Sequence, residues 1–145
     1  MLFRSDARQT FVGIWIQQIL KDQHFEVWGG DQLRDFNYVD DVVDAFLTVA
    51  ISEKANGEIF NLGSNQIITL KELADTLIHV NGSGNYKIRN FPEDRKKIDI
   101  GDYYSDYSKI NELLEWNPAI DIKEGLRKTL NYYKKYGEYY FDTSM

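Results

Sequence analysis

The pattern of apolar and polar residues predicts a helix in five stretches of the chain. In the first stretch, Phe11, Trp15 and Ile19 recur at the spacing that would bring them to one helical face. Thr10 precedes this stripe and would serve as the N-cap. The predicted helices run over residues 11–22, 40–51, 69–80 and 108–115, and from residue 121 towards the C-terminus.

Polar residues mark the beginnings of three of these helices. Thr69 with Glu72, and Asp121 with Glu124, have the spacing of a capping box, in which each side chain bonds the backbone N–H of the other residue. Asp40 has the residue type and position of an N-cap for the second helix.

Short strands are predicted between the helices. Alternating or β-branched and aromatic residues, bounded by Gly, Asn and Asp, predict strands over 25–28, 36–39, 58–62 and 86–89. The chain therefore has a mixed α/β pattern and shows no boundary to a second domain. Residues 90–102 form a long polar stretch without a predicted element, and long loops on compact domains are often functional.

Composition and charge narrow the classes of function. The formal net charge is −6 and the longest basic run is Arg95–Lys97, so we expect no nucleic-acid binding. The longest apolar candidate, residues 11–20, contains Gln17 and Gln18 and is too short for a membrane span. The chain has no cysteine, its two histidines are isolated, and its first residues lack a signal-peptide core. We expect a cytoplasmic protein without a metal site.

Arg34 is the first candidate for binding chemistry. A loop arginine is ordinarily solvated, and Asp35 could also pair with it in a structural role. The neighbouring Gly29 and Gly30 would let a ligand approach the backbone, and a guanidinium is a planar donor fork suited to phosphate oxygens. With these neighbours, the sequence favours anion binding at Arg34.

The run from Leu33 to Ala45 strongly resembles a segment of the extended short-chain dehydrogenase/reductase family. Its sequence is LRDFNYVDDVVDA. The tract from Arg95 to Lys109, the turn at Asn61–Ser64 and the ending from Leu114 to Leu126 resemble later segments of the same family, although Glu115 stands where that family usually has glycine. The family contains NAD-dependent sugar-nucleotide epimerases, dehydratases and decarboxylases.

The resemblance implies a set of substrate-binding residues. Arg34 would hold the diphosphate of a nucleotide-diphosphate sugar, Arg95 would grip phosphate, and Asp99 would accept hydrogen bonds from the ribose. Lys96 could occupy the arginine position in place of Arg95. The start of the first helix and the end of the first strand would enclose the base. The residues implied there are Phe11 and Trp28.

Two elements that NAD chemistry requires in this family are missing from the sequence. Gly82 and Gly84 form the only closely spaced glycine pair of the right form, but Lys87 stands where the third glycine belongs. No tyrosine is followed by lysine four positions later, so the family's acid/base pair is missing too. We expect no catalytic residue and no bound NAD in this chain alone, although NAD serves the complete family enzyme.

The resemblance therefore predicts the C-terminal, substrate-binding part of an extended Rossmann-type fold, with about five helices and an incomplete parallel sheet. Residues 1–145 would form one substrate-binding region, and its helix-strand unit at about 40–63 would belong to a dinucleotide-binding sheet that is otherwise missing. An unpaired strand there would lead to self-association or to pairing with an N-terminal half. The alternatives are a non-catalytic binding or oligomerisation module and a truncated product without its own activity.

Overall fold

The structure is a computed structural model that describes residues 10–93 and 100–141. Five α-helices and four short strands lie within these residues, which confirms the predicted mixed α/β class. The helices are α1 (Phe11–Leu20), α2 (Val39–Ile51), α3 (Leu70–Asn81), α4 (Ser108–Leu114) and α5 (Ile122–Tyr136). The strands are β1 (Phe25–Trp28), β2 (Leu33–Asp35), β3 (Ile67–Thr69) and β4 (Tyr86–Arg89).

The strands form two separate pairs. Strands β1 and β4 are parallel, in a register that sets Phe25 opposite Tyr86 and Trp28 opposite Arg89. Strands β2 and β3 are antiparallel, and Arg34 also forms a single bridge to Tyr103. The stretch from residue 28 to residue 35 thus passes from one sheet directly into the other.

The main core lies between α1, β1, α3 and α5. Its centre is Phe25, which is fully buried and stacks on Trp15 at 5.1 Å and on Tyr86 at 5.6 Å. The other buried side chains of this core are mostly aliphatic: Ile16, Ile19, Val27, Leu73, Leu77, Leu126 and Leu130. A second, smaller cluster of Ala45, Ile110 and Trp116 joins α2 to α4.

The local capping signals were largely correct. Thr10 accepts a hydrogen bond from the backbone N–H of Gly13, and the capping box at Thr69 and Glu72 is complete. Asp121 accepts from the N–H of Glu124 as predicted, whereas the carboxylate of Glu124 bonds Arg127.

The predicted cap at Asp40 was wrong. Helix α2 begins at Val39 with Tyr38 as an N-cap that makes no side-chain cap bond, and Asp40 lies in the first turn. An acidic side chain in the first turn still interacts favourably with the N-terminal end of the helix dipole. The residue type was therefore informative, but its position in the helix was misread by two residues.

Two strand predictions were wrong, because a strand requires a partner that local sequence does not specify. Residues 58–62 form no β ladder with any described residue. Of residues 36–39, the first three connect β2 to α2 and Val39 begins the helix, while the extended pairing occurs earlier, at Leu33–Asp35. Strand β3 at Ile67–Thr69 was not predicted, because its pairing with β2 depends on contacts more than thirty residues away.

Candidate functional site

A cleft of about 1150 Å³ opens between α1, the end of β1 and the loop that leads into β2. It brings together Phe11 of α1, Trp28 of β1 and Arg34 of β2. All three were predicted from the sequence to bind the substrate. Both Phe91 and Ile100 also line the cleft. The remaining lining is mixed in polarity and includes Ile14, Trp15, Gln18, Gln23, His24, Glu26, Gln32 and Asn85.

Aromatic rings form the apolar part of the cleft wall. Trp28 meets Phe91 edge to face, with ring centroids 6.1 Å apart, and Phe11 meets Trp15 in the same way at 5.1 Å. Phe11 is 40% exposed, so part of its ring faces the open cleft, whereas Trp15 is buried. Surfaces of this kind can pack against a planar heterocycle.

Arg34 lies on the polar side of the cleft and is held by backbone carbonyls. Its Nη1 donates to the carbonyl oxygen of Leu33 at 2.8 Å and to that of Gly101. The residue is half-buried, so it differs from the fully solvated loop arginine that was one interpretation of the sequence. These bonds orient a fixed positive charge along the cleft wall.

Asp35 fixes the same strand, β2, through its side chain. Its Oδ2 accepts hydrogen bonds from the backbone N–H of Ser64 at 3.2 Å and of Ser105 at 3.1 Å. Leu33 is fixed on its other side, because its N–H donates to Asp102 Oδ1 at 2.8 Å. Strand β2, which carries Arg34, is thus tied to two distant segments of the chain.

Glu26 is the main acidic group with a described partner in the cleft. Its carboxylate lies 2.8 Å from Nε of Arg89 on the adjacent strand. The hydrogen bond from Arg89 lowers the pKa of Glu26 below its ordinary value, and partial desolvation acts in the opposite direction. Glu26 therefore stays ionised at neutral pH, and its charge is directed towards Arg89.

The remaining predicted site residues, Arg95, Lys96 and Asp99, lie outside the described residues. The described residues that flank them in sequence, Phe91 and Ile100, both belong to the cleft wall. No group of three His, Cys, Asp or Glu side chains in the described part of the chain could hold a metal ion.

Two features of the cleft were missed by sequence reasoning. Phe91 gave no local signal, since it follows β4 in a polar stretch. The side chain of Gln32 makes hydrogen bonds to the backbone around the Gly29–Gly30 turn. The only sequence signal that could have indicated this role is a long amide side chain close to two glycines.

The C-terminal tyrosines form a cluster of rings. Tyr132 contacts the rings of Tyr133, Tyr136 and Tyr140 at centroid distances of 5.0–5.7 Å. The hydroxyl oxygens of Tyr132 and Tyr140 lie 2.5 Å apart, and this bond raises the pKa of Tyr132. The cluster lies at the C-terminal end of α5 and in the turn after it, and it does not line the cleft.

The glycine pair at Gly82 and Gly84 does not fit the pyrophosphate of NAD. A dinucleotide turn follows a strand and precedes a helix, so that the helix N-terminus faces the phosphates. Here the order is reversed: Gly82 is the left-handed C-cap of α3, and Gly84 leads into β4. A Cβ at Gly84 would lie 2.7 Å from the side chain of Ile19, so this glycine is required for packing.

Comparison with known proteins identifies the class. The UDP-glucuronate 4-epimerase of Thermodesulfobacterium geofontis is 35% identical over 129 residues, which cover 83% of this chain and 36% of that protein. The crystal structure of the UDP-glucose 4-epimerase of Thermotoga maritima, solved with UDP-glucose, matches with a TM-score of 0.77 and 32% identity over 93% of this chain and 43% of that one. The UDP-glucuronic acid 4-epimerase of Bacillus cereus, solved with NAD, shares the fold with a TM-score of 0.73, at 23% identity over 92% and 40% of the two chains.

These similarities show that the chain shares its sequence and fold with part of the Rossmann-type epimerases that act on sugar nucleotides. The family described as GDP-mannose 4,6 dehydratase matches residues 9–129. The chain belongs to this family of NAD-dependent sugar-nucleotide epimerases and dehydratases, within the extended short-chain dehydrogenases/reductases. It spans about two-fifths of the length of the relatives it matches. Among the described helices, none has the length and apolar character needed to cross a membrane.

Proposed function

We propose that this chain is the sugar-nucleotide-binding portion of an NAD-dependent nucleotide-sugar epimerase or dehydratase. The observation that carries the proposal is the cleft that unites Phe11, Trp28 and Arg34. A nucleotide-diphosphate sugar combines a planar base, an anionic diphosphate and a polar sugar. The cleft offers aromatic surface and a fixed cation within one concave space, which suits the first two parts of such a ligand.

In this proposal each candidate residue has one role. Phe11 and Trp28 contact the base, and Arg34 stabilises the negative charge of the diphosphate. Arg95, or Lys96 in its position, adds a second cation, and Asp99 accepts hydrogen bonds from the ribose. The chain orients its ligand and performs no bond-making step, because it contains neither the glycine turn for NAD nor a Tyr-x-x-x-Lys pair. NAD, the hydride acceptor and donor of this chemistry, would be held by another segment of polypeptide.

Calorimetric titration with UDP, dTDP and GDP tests the proposal. We expect weak binding by the wild-type chain and at least about tenfold weaker binding by Arg34→Ala, since a charge-assisted bond to phosphate is lost. Arg127→Ala is the matched control, because Arg127 pairs with Glu124 on α5 away from the cleft. Failure of all three nucleotides to bind, or equal affinities of Arg34→Ala and wild type, would contradict the proposal.

The exposed apolar face of α2 is a second observation in support of the proposal that this chain is one portion of an enzyme. Helix α2 turns one apolar face to solvent, where Ile51 is 86% exposed, and Ile59, which follows the helix in sequence, is 83% exposed. The other exposed apolar residues of α2 recur at helical spacing: Val39, Val43, Phe46 and Leu47. A contiguous apolar patch on a folded protein commonly marks an interaction site.

We propose that this face of α2, together with residues 58–62, which form no β ladder with the described residues, packs against the dinucleotide-binding part of the family fold. Self-association through the same face is the alternative, and an assembly module without nucleotide binding would use it too. Light scattering and co-expression with the N-terminal portion of a relative distinguish these partners. Leu47→Glu should weaken whichever complex forms, whereas Ile88→Glu, an exposed position on β4, should not. A chain that stays monomeric and binds no such portion would refute the proposal.

A further inference from the structure

We infer that Gln32 is a positioning residue of the cleft: its side-chain amide closes the Gly29–Gly30 turn and thereby sets Trp28 and Arg34 in their relative places. The inference rests on the proposed function, since it concerns how the same cleft is held ready for a nucleotide. Sequence resemblance assigns Gln32 no role, and its bonds emerge only from the folded backbone.

The amide makes two hydrogen bonds to the turn. Its Oε1 accepts from the N–H of Gly30 at 2.8 Å, and its Nε2 donates to the carbonyl oxygen of Trp28 at 3.2 Å. The side chain therefore bridges Trp28, the last residue of β1, and Gly30 in the turn. Gln32 itself lies two positions before Arg34. One end of this short span carries an aromatic wall of the cleft and the other end carries its cation.

The bridge restrains a turn whose two glycines would otherwise have wide backbone conformational freedom. Gly29 and Gly30 have φ values of +72° and +105°, and glycine loses more conformational entropy on ordering than any other residue. The amide also lies against the glycine backbone: a Cβ at Gly29 would lie 2.8 Å from Nε2 of Gln32. The side chain of Gln32 thus occupies the space that a Cβ at position 29 would need.

The flanks of the turn are anchored to different elements. Gly29 donates its N–H to the carbonyl oxygen of Arg89 on β4, at 2.9 Å. The carbonyl oxygen of Gly30 accepts from the N–H of Lys71 in α3, at 3.0 Å. The amide of Gln32 spans the gap between these two anchors. Its loss would leave each anchor in place and free the connection between them, so we expect a local effect on the cleft and little effect on the core.

Only an amide of this length can make both bonds. Methionine has a similar shape but makes neither bond, and glutamate could accept from Gly30 but could not donate to Trp28. Asparagine keeps both groups on a side chain that is one methylene shorter. These differences provide a graded set of variants at one position.

The test combines UDP affinity with amide hydrogen exchange at Gly30 in the full chain. We expect Gln32→Met to bind UDP about tenfold more weakly, to exchange the Gly30 amide faster, and to keep a melting temperature close to that of the wild type. Gln32→Asn should fall between the two. Gln17→Met is the control, because Gln17 lies on α1 outside the cleft lining, and it should change neither readout.

Unchanged UDP affinity in Gln32→Met would overturn the inference, as would an affinity loss that only follows a lowered melting temperature. If the wild-type chain binds no UDP, dTDP or GDP, the proposed function falls. The role of Gln32 in the turn is then judged by Gly30 alone: faster exchange in Gln32→Met supports it, and unchanged exchange overturns it.

Discussion

At the scale of single residues, two aspartates join distant parts of this chain through its backbone. Asp35 accepts hydrogen bonds from the N–H groups of Ser64 and Ser105. Asp41 accepts hydrogen bonds from the N–H groups of Ala119 and Ile120, both at 3.1 Å. Asp41 is 5% exposed, so its carboxylate depends on these two donors for the hydrogen bonds that water would otherwise supply. A buried carboxylate with two backbone donors is a strong and specific link.

We predict that Asp41→Asn lowers the free energy of unfolding by about 1–3 kcal/mol. The amide can accept from one of the two N–H groups, but its NH2 group must face the other donor. Urea denaturation measures the change. Asp44→Asn, an exposed neighbour on the same helix, should be close to wild type, and an equal loss in both variants would show that helix charge rather than the buried link is responsible.

Gly63 is a second residue whose role differs from the simplest interpretation of its type. A turn glycine is usually required for a positive φ, but Gly63 is not among the glycines with positive φ. A Cβ there would instead lie 2.6 Å from the carbonyl oxygen of Ser105. This glycine is therefore required for the close approach of two backbones, next to the Asp35 carboxylate that accepts the N–H of Ser105.

At the scale of elements, the helices are specified locally and the strands are not. The capping box at the start of α3 is complete, with Thr69 N–H donating to Glu72 Oε2 at 2.7 Å and Glu72 N–H donating to Thr69 Oγ1 at 3.1 Å. The hydrogen bonds that the Glu72 carboxylate accepts from the backbone N–H and the hydroxyl of Thr69 lower the pKa of Glu72. A lowered carboxyl pKa contributes stability above the unfolded-state pKa, and that stability is lost as pH falls through the folded-state value.

We predict that Thr69→Ala destabilises the protein by about 1 kcal/mol and reduces the acid-side dependence of stability that comes from Glu72. Thermal unfolding at neutral and acidic pH measures both effects. Thr76→Ala is the matched control, because Thr76 only bonds back to the Glu72 carbonyl oxygen within the helix. A similar loss at Thr76 would contradict a specific role for the cap.

At the scale of the whole molecule, the core is uneven. The cluster around Phe25 joins α1, β1, α3 and α5, whereas α2 is held by the small cluster of Ala45, Ile110 and Trp116 and exposes an apolar face. Opening free energies follow the number of buried contacts that an element makes. Helix α2 should therefore open before α3.

We predict that amides in α2 exchange with deuterium faster than those in α3, since α3 buries four residues of its own helix in the main core. Hydrogen exchange with mass spectrometry measures the difference. Addition of a partner that covers the α2 face should slow exchange in α2 and leave α3 unchanged. Equal protection of both helices in the isolated chain would contradict this view of the core.

The sequence alone determined the helices and the family. Helices close their hydrogen bonds within a few residues, so Thr10, Thr69 and the apolar stripe of α1 were sufficient to locate them. The motif around Arg34 likewise carried the family resemblance that the comparisons confirmed.

Only the tertiary structure decided what lies next to what. The pairing of β2 with β3 and the absence of a partner for residues 58–62 among the described residues depend on contacts across the chain. The same is true of the cleft, in which Phe11 and Arg34 meet Phe91, and of the amide bridge at Gln32. A pattern within a few residues can encode a helix, but a cleft depends on the arrangement of elements that the sequence keeps apart.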